Sequence, residues 1–182
     1  MNTVAEAVIA SVRWEQLRAG PGSAAGVPAA FGALATAETD DAATDYYWQL
    51  DNVVIVQGNL YESALPAVWA VFALLAGPLP GAARYRLVEL LAEIAGGDTA
   101  QAETDAGNAD LADRCRAALR DGLWTCYALL NDGDPRVRGA AITLLGWLED
   151  RTEVIVPVLE RVATADPEPD IRTAAADLRT EY

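Results

Sequence analysis

Histidine and lysine are both absent from this chain of 182 residues, so all thirteen of its basic residues are arginine. Without histidine the usual general base is missing, together with most zinc, haem and catalytic-triad arrangements. Serine is scarce: Ser11, Ser23 and Ser63 are the whole supply, and none sits in a nucleophile elbow. The two cysteines, Cys115 and Cys126, are eleven positions apart. In a continuous helix that spacing separates them by roughly 16 Å, too far for a disulfide. They supply no metal site and read as reduced core thiols of a cytoplasmic protein, and Cys126 lacks the histidine partner a nucleophile needs. No glycine-rich phosphate loop follows a strand, so neither a metal nor a cofactor is expected. The first residues carry Glu6 and lack a basic start followed by an apolar run, which argues against a signal peptide. The one long apolar stretch, Ala64 to Leu79, holds Pro66 and Pro78 and is short for a bilayer span. A buried core helix accounts for it, and no membrane partner is expected.

Positive charge is also in short supply, with 27 acidic residues giving a net charge of -14. Such a field repels phosphate backbones and anionic lipid surfaces and attracts cationic partners. It also serves solubility alone. Nucleic acid is therefore not expected as a partner, whereas a basic protein or peptide is. A hydrophobic content of 52% excludes disorder for the chain as a whole, and the length suits one domain.

What the chain does have is a self-match. Shifting the sequence by 34 residues places Asp132 on Asp166, Pro135 on Pro169, Val137 on Ile171, Arg138 on Arg172 and Leu144 on Leu178. A fixed period in this range marks stacked helical repeats, in which each small helix pair buries its apolar stripe against the next. Allowing for an insertion of 20 residues, Phe72 meets Cys126, Leu75 meets Leu129, Arg84 meets Arg138 and Leu90 meets Leu144, so three units are related. The predicted fold is all-α, an α-α superhelix built as a short solenoid of antiparallel helix pairs.

Breakers and caps divide residues 1–182 into one solenoid domain. Residues 1–60 form divergent N-terminal helices, with spans expected from Val4 to Arg18, Ala29 to Ala37 and Asp41 to Gln57. Residues 61–95 form a repeat unit, 96–109 a mobile polar loop, 110–150 a second unit opening on one long helix from Asp110 to Leu130, and 151–182 a C-terminal repeat and cap.

These residues resemble the HEAT-repeat family, whose units carry an Asp in the turn within the repeat and an Arg six residues later. Asp132 with Arg138, and Asp166 with Arg172, show that spacing. The resemblance implies a structural ladder linking neighbouring units through these four residues. In the first unit Arg84 is present but Pro78 occupies the position of the Asp. The N-terminal third is similar to actinobacterial HEAT-like proteins through Tyr46 to Glu62. At the level of fold alone the chain is also similar to HEAT-like DNA glycosylases, a reading that its charge and lack of lysine oppose.

Chemistry outside the ladder concentrates between Tyr46 and Glu62. As one helix this segment places Trp48, Asn52, Ile55 and Asn59 on one face and Tyr47, Leu50, Val54 and Tyr61 near another, with polar groups embedded among apolar ones. Either it is a central core helix whose polar side chains cap its neighbours, or Asp51, Asn52, Gln57, Tyr61 and Glu62 surround a groove for a ligand or peptide. Arg114, Arg116 and Arg120 form a short basic stripe, joined by Arg136 and Arg138. Either Arg116 and Arg120, one helical turn apart, meet phosphate or an acidic partner, or the stripe pairs with Asp110, Asp113, Asp121 and their neighbours on a solvated surface. Trp147, near a helix end, is the better interface anchor of the later tryptophans. The expected function is a non-catalytic protein- or peptide-binding scaffold, in its specific form an acidic immunity or inhibitor protein for a basic partner. The alternative is a small-molecule-binding protein or enzyme using Asp51, Tyr61, Glu62 and Glu89 as acid-base groups.

Overall fold

Asn2 opens the computed structural model, which describes residues 1–182, by accepting the Ala5 N–H at 2.8 Å and capping α1 (Thr3–Ala10). A short 3-10 turn, Trp14–Gln16, replaces the second half of the helix expected to reach Arg18; the buried Trp14 indole donates to the Ile9 carbonyl and folds the chain back. α2 (Val27–Leu34) follows, and the Thr39 side chain accepts the Ala42 N–H to cap α3 (Asp40–Val54). Then come α4 (Ala64–Leu75), α5 (Gly81–Gly96), α6 (Gln101–Asp105), α7 (Leu111–Asp121), α8 (Leu123–Leu129), α9 (Pro135–Leu148), α10 (Thr152–Ala165) and α11 (Pro169–Arg179). Pro135 and Pro169 each stand in the first helical turn, where a missing N–H costs nothing.

The helices form two layers around one continuous core. α3, α5, α9 and α11 pack in succession as the inner layer, while α1, α4 and α7 pack in succession on the other side. The divergent N-terminal third thus extends both layers, with α1 beside α4 and α3 beside α5. The architecture is the expected all-α superhelix.

Three further expectations about segments change. α3 ends at Val54, and Ile55–Val56 (β1) turns through Gln57 and Gly58 into Asn59–Leu60 (β2). Both turn residues have positive φ, 50° and 78°, the geometry of a tight two-residue hairpin. The β-branched run Val53-Val54-Ile55-Val56 favours this exit from the helix. Second, residues 96–109 are folded: Asp98–Thr99 (β3) pairs with β2 in parallel, and α6 follows. The segment has no apolar periodicity because a single buried carboxylate, Glu103, anchors it. That carboxylate accepts from the Arg18 guanidinium at 2.7 Å, the Glu62 N–H at 3.0 Å and the Asn108 amide at 2.8 Å.

Third, the helix expected from Asp110 to Leu130 breaks at Gly122, where the Phe72 ring of α4 lies against the backbone. A Cβ at Gly122 would come within 2.3 Å of that ring. Gly122→Ala is therefore expected to destabilise the protein by about 1–3 kcal/mol, recovered in part when Phe72→Leu is added. Chemical denaturation of the single and double variants measures both; a Gly122→Ala protein as stable as wild type would show that the helices slide freely. Cys115 and Cys126, on either side of the break, are both free and fully buried, and burial pushes each thiol up to about 12.

The ladder joins the units in one direction. Arg138 donates to both carboxylate oxygens of Asp166 in the following unit, at 2.7 and 2.8 Å, and its other nitrogen reaches the Asp132 and Gly133 carbonyls of its own turn. Arg84 makes the equivalent forward pair with Asp132 at 2.8 Å. Pro78 costs the ladder nothing, because no repeat arginine precedes it to require an acceptor there. Arg172 keeps the same bonds to its own turn, the Asp166 and Pro167 carbonyls.

Candidate functional site

On α5 the polar residues Tyr85, Glu89 and Glu93 recur every four positions, so they share one face of the helix. That face borders the open surface of the inner layer. On α9, Arg136, Ala140, Thr143 and Trp147 line up in the same way, and the two rows bound a groove of about 330 Å³ floored by Ala92 and Ala140. Farther along, a smaller hollow of about 220 Å³ lies between the hairpin tip at Gly58, Glu93, Gly96 and Trp147. Beyond Trp147 a third stretch, about 380 Å³, runs between α9 and α11 past Asp177, Leu178 and Glu181. Trp147 stands at the junction of the last two.

The end of the groove near α3 is filled by the chain's own arginines. Arg86 lies over the Tyr47 and Tyr85 rings, 5.3 and 5.0 Å from their centroids, bonds Glu89 and donates to Thr44 Oγ1 at 2.8 Å. Arg136 lies 5.1 Å from the Tyr85 centroid, pairing with Asp134 and reaching Asp40 of α3, both at 2.7 Å. The Tyr85 hydroxyl donates to Glu89 at 2.7 Å and the Tyr47 hydroxyl to Asp51 at 3.3 Å. Burial raises the Asp51 carboxyl above its ordinary range; the Tyr47 bond opposes this, and the charges of Glu93 and Glu89 push it higher. Tyr47 is raised as well, first by burial and then by Asp51, Glu89 and Glu93. Three carboxylates thus crowd one face, a field that an added cation relieves. No group of three or more carboxylates or thiols in the chain is arranged to hold a metal ion.

The HEAT repeats family profile matches residues 80–178, more than half of the chain and the whole of the ladder from Arg84 to Arg172. The chain belongs to the HEAT-repeat family. No curated protein and no solved structure matches it. HEAT repeats generally mediate protein–protein interaction, and no helix of this member is long and apolar enough to cross a membrane.

The HEAT fold distributes the residues singled out in the sequence. Trp48 is exposed and sets its ring edge-on against Tyr47, 5.2 Å between centroids. Asp51 feels the charges of Glu89 and Glu93 on α5, and Gln57 sits at the hairpin tip beside Gly58, which lines the Trp147 hollow. Asn52 is exposed and spends its amide on the Trp48 carbonyl. Tyr61 and Glu62 lie apart from the groove: the Tyr61 ring is beside Gly20, and Glu62 pairs with Arg18. The five polar residues between Asp51 and Glu62 therefore do not surround one pocket. A helical wheel drawn through Gln57 joins them only by ignoring the hairpin.

The basic stripe is likewise dispersed. Arg114 pairs with Asp110, Arg116 with Asp113 and the Ala95 and Gly97 carbonyls, and Arg120 donates to the Leu148 carbonyl, while Asp121 takes none of them. Sequence reasoning missed Tyr85, Arg86, Glu93, Asp177 and Glu181. The four-residue spacing of polar groups on α5 was the available signal.

Proposed function

We propose that this HEAT-repeat protein is a non-catalytic cytoplasmic scaffold whose inner-face groove takes a basic segment of a protein partner. The observation that carries this reading is the distribution of charge within the groove. Near α3 each carboxylate–aromatic position is occupied by an internal arginine, whereas Glu93, Asp177 and Glu181 border open space with no arginine of the chain paired to them. In its specific form the protein is an acidic inhibitor or immunity protein covering a cationic working surface. The net charge of -14 adds long-range attraction for such a partner.

Charge placement tests this. Glu93→Arg with Asp177→Arg is expected to weaken binding of a short oligo-arginine peptide about tenfold at low salt. Glu6→Arg with Glu153→Arg makes the same change in net charge on exposed sites outside the groove and is expected to leave most of the affinity intact. Fluorescence polarisation across a salt series reads both, and equal losses from the two pairs would reduce the groove to one part of a generally acidic surface. A second reading, an acid-base or small-molecule site, draws on the raised Asp51 carboxyl and its Tyr47 partner. It predicts that Asp51→Asn abolishes activity or ligand binding while the Glu93 and Asp177 variants do not.

A further inference from the structure

Three aromatic rings of this protein already carry a guanidinium, and each guanidinium also meets a carboxylate. Arg86 covers Tyr47 and is held by Glu89; Arg136 covers Tyr85 and is held by Asp134 and Asp40; Arg151 lies 5.7 Å from the Trp124 centroid and is held by Glu149 at 2.7 Å. The combination is chemically coherent. A flat guanidinium stacks on a ring through its face while its edge keeps N–H groups for a carboxylate.

Trp147 has the same surroundings without the arginine. Its side chain is 53% exposed, it shares one hollow with Glu93 and the other with Asp177 and Glu181, and no cation of the chain covers it. The ring is also held in place: a Cβ at Gly96 would come within 3.0 Å of it, so the bare backbone of α5 is what lets the indole lie down at the groove junction. Trp48 and Trp69 are exposed to a similar degree but line neither hollow.

We propose that Trp147 is the seat of an arginine side chain from the partner, stacked on the indole with its N–H edge turned to Glu93 on one side or Asp177 and Glu181 on the other. This rests on the groove reading above and narrows it to a residue type and a position. Arginine is preferred to lysine because an ammonium on the ring cannot hold a carboxylate in the same fork-like way.

Fluorine NMR of the full chain with its five tryptophans replaced by 5-fluorotryptophan tests this directly. The Trp147 resonance is assigned by its loss in Trp147→Phe, and the probe is a short oligo-arginine peptide, compared with its citrulline and lysine counterparts. The expected result is a saturable shift of the Trp147 resonance with the arginine peptide, a weaker effect with lysine and none with citrulline. Trp147→Leu is expected to lower affinity about 3- to 30-fold. Glu93→Gln with Asp177→Asn, which leaves the ring untouched, should reduce the shift in the same titration. Peptide binding with a stationary Trp147 resonance and an unaffected Trp147→Leu overturns the anchor while leaving the scaffold reading in place. An equal shift with citrulline or lysine overturns the preference for arginine. Failure of the wild type to bind the arginine peptide at low salt overturns both.

Discussion

Truncating Arg138 to alanine is expected to lower the free energy of unfolding by about 3–5 kcal/mol, the usual cost of breaking a buried ion pair from one side. Both partners are nearly inaccessible, with side-chain exposures of 7% for Arg138 and 5% for Asp166. The Asp166 carboxylate would then lose both guanidinium bonds, and the Asp132 and Gly133 carbonyls would lose their donor. Asp166→Ala should cost less than Arg138→Ala, because the stranded guanidinium keeps those two carbonyls. The double variant should be clearly more stable than the sum of the single losses predicts, since no charge remains buried alone. Equilibrium denaturation of the four proteins gives the coupling directly. Strict additivity would mean that the two residues act independently.

Replacing Glu103 by alanine is expected to cost about 3 kcal/mol, through loss of charge-assisted bonds from Arg18, Asn108 and the Glu62 N–H. Its effect should depend on pH. Burial pushes the Glu103 carboxyl upward, but Arg18, Asn108 and the Glu62 N–H together hold it below its ordinary 4.5. A carboxyl depressed by folding contributes its stability above the unfolded value and loses it as pH falls through the folded one. The gap in stability between wild type and Glu103→Gln should therefore narrow on acidification below 4.5. Asp134, Asp166 and Glu149 are also depressed, Glu149 to about 2 under the lead of its Arg151 bond, so the wild type as a whole should weaken over the same range. Thermal melts in a pH series check this, and a gap that stays constant down to the acid transition would show that Glu103 is not the titrating link.

Regular features were the legible ones. The period of 34 residues and the prolines in the first helical turns repeat from unit to unit, and the Arg84–Asp132 and Arg138–Asp166 pairs recur with them. Features made once were not. Glu103 looks like any acid in a polar stretch until Arg18, 85 positions away, comes to meet it. The hairpin at Gln57–Gly58 is brief, and the apolar β-branched residues before it satisfy a helical wheel as well as they do a strand. At the groove the sequence marks single residues such as Trp147 and Asp51, but their neighbours on α5 and α11 come from other units, and only the stacking of helices brings those rows side by side.

The forward reach of the ladder fixes how much chain can be added at a time. Each arginine meets the aspartate of the unit after it, so the portable stretch is one whole period, for example Asp132 to Ala165, which holds α9 and α10. A copy spliced in before Asp166 would offer its own Asp132 to the upstream Arg138 and its own Arg138 to Asp166. A complete hairpin of the same period, spliced in between hairpins, would keep the pairs equally well, because every arginine still finds an aspartate one unit on. Lengthening the molecule is thus a matter of whole periods, and an insertion of any other length would leave a hook without its eye.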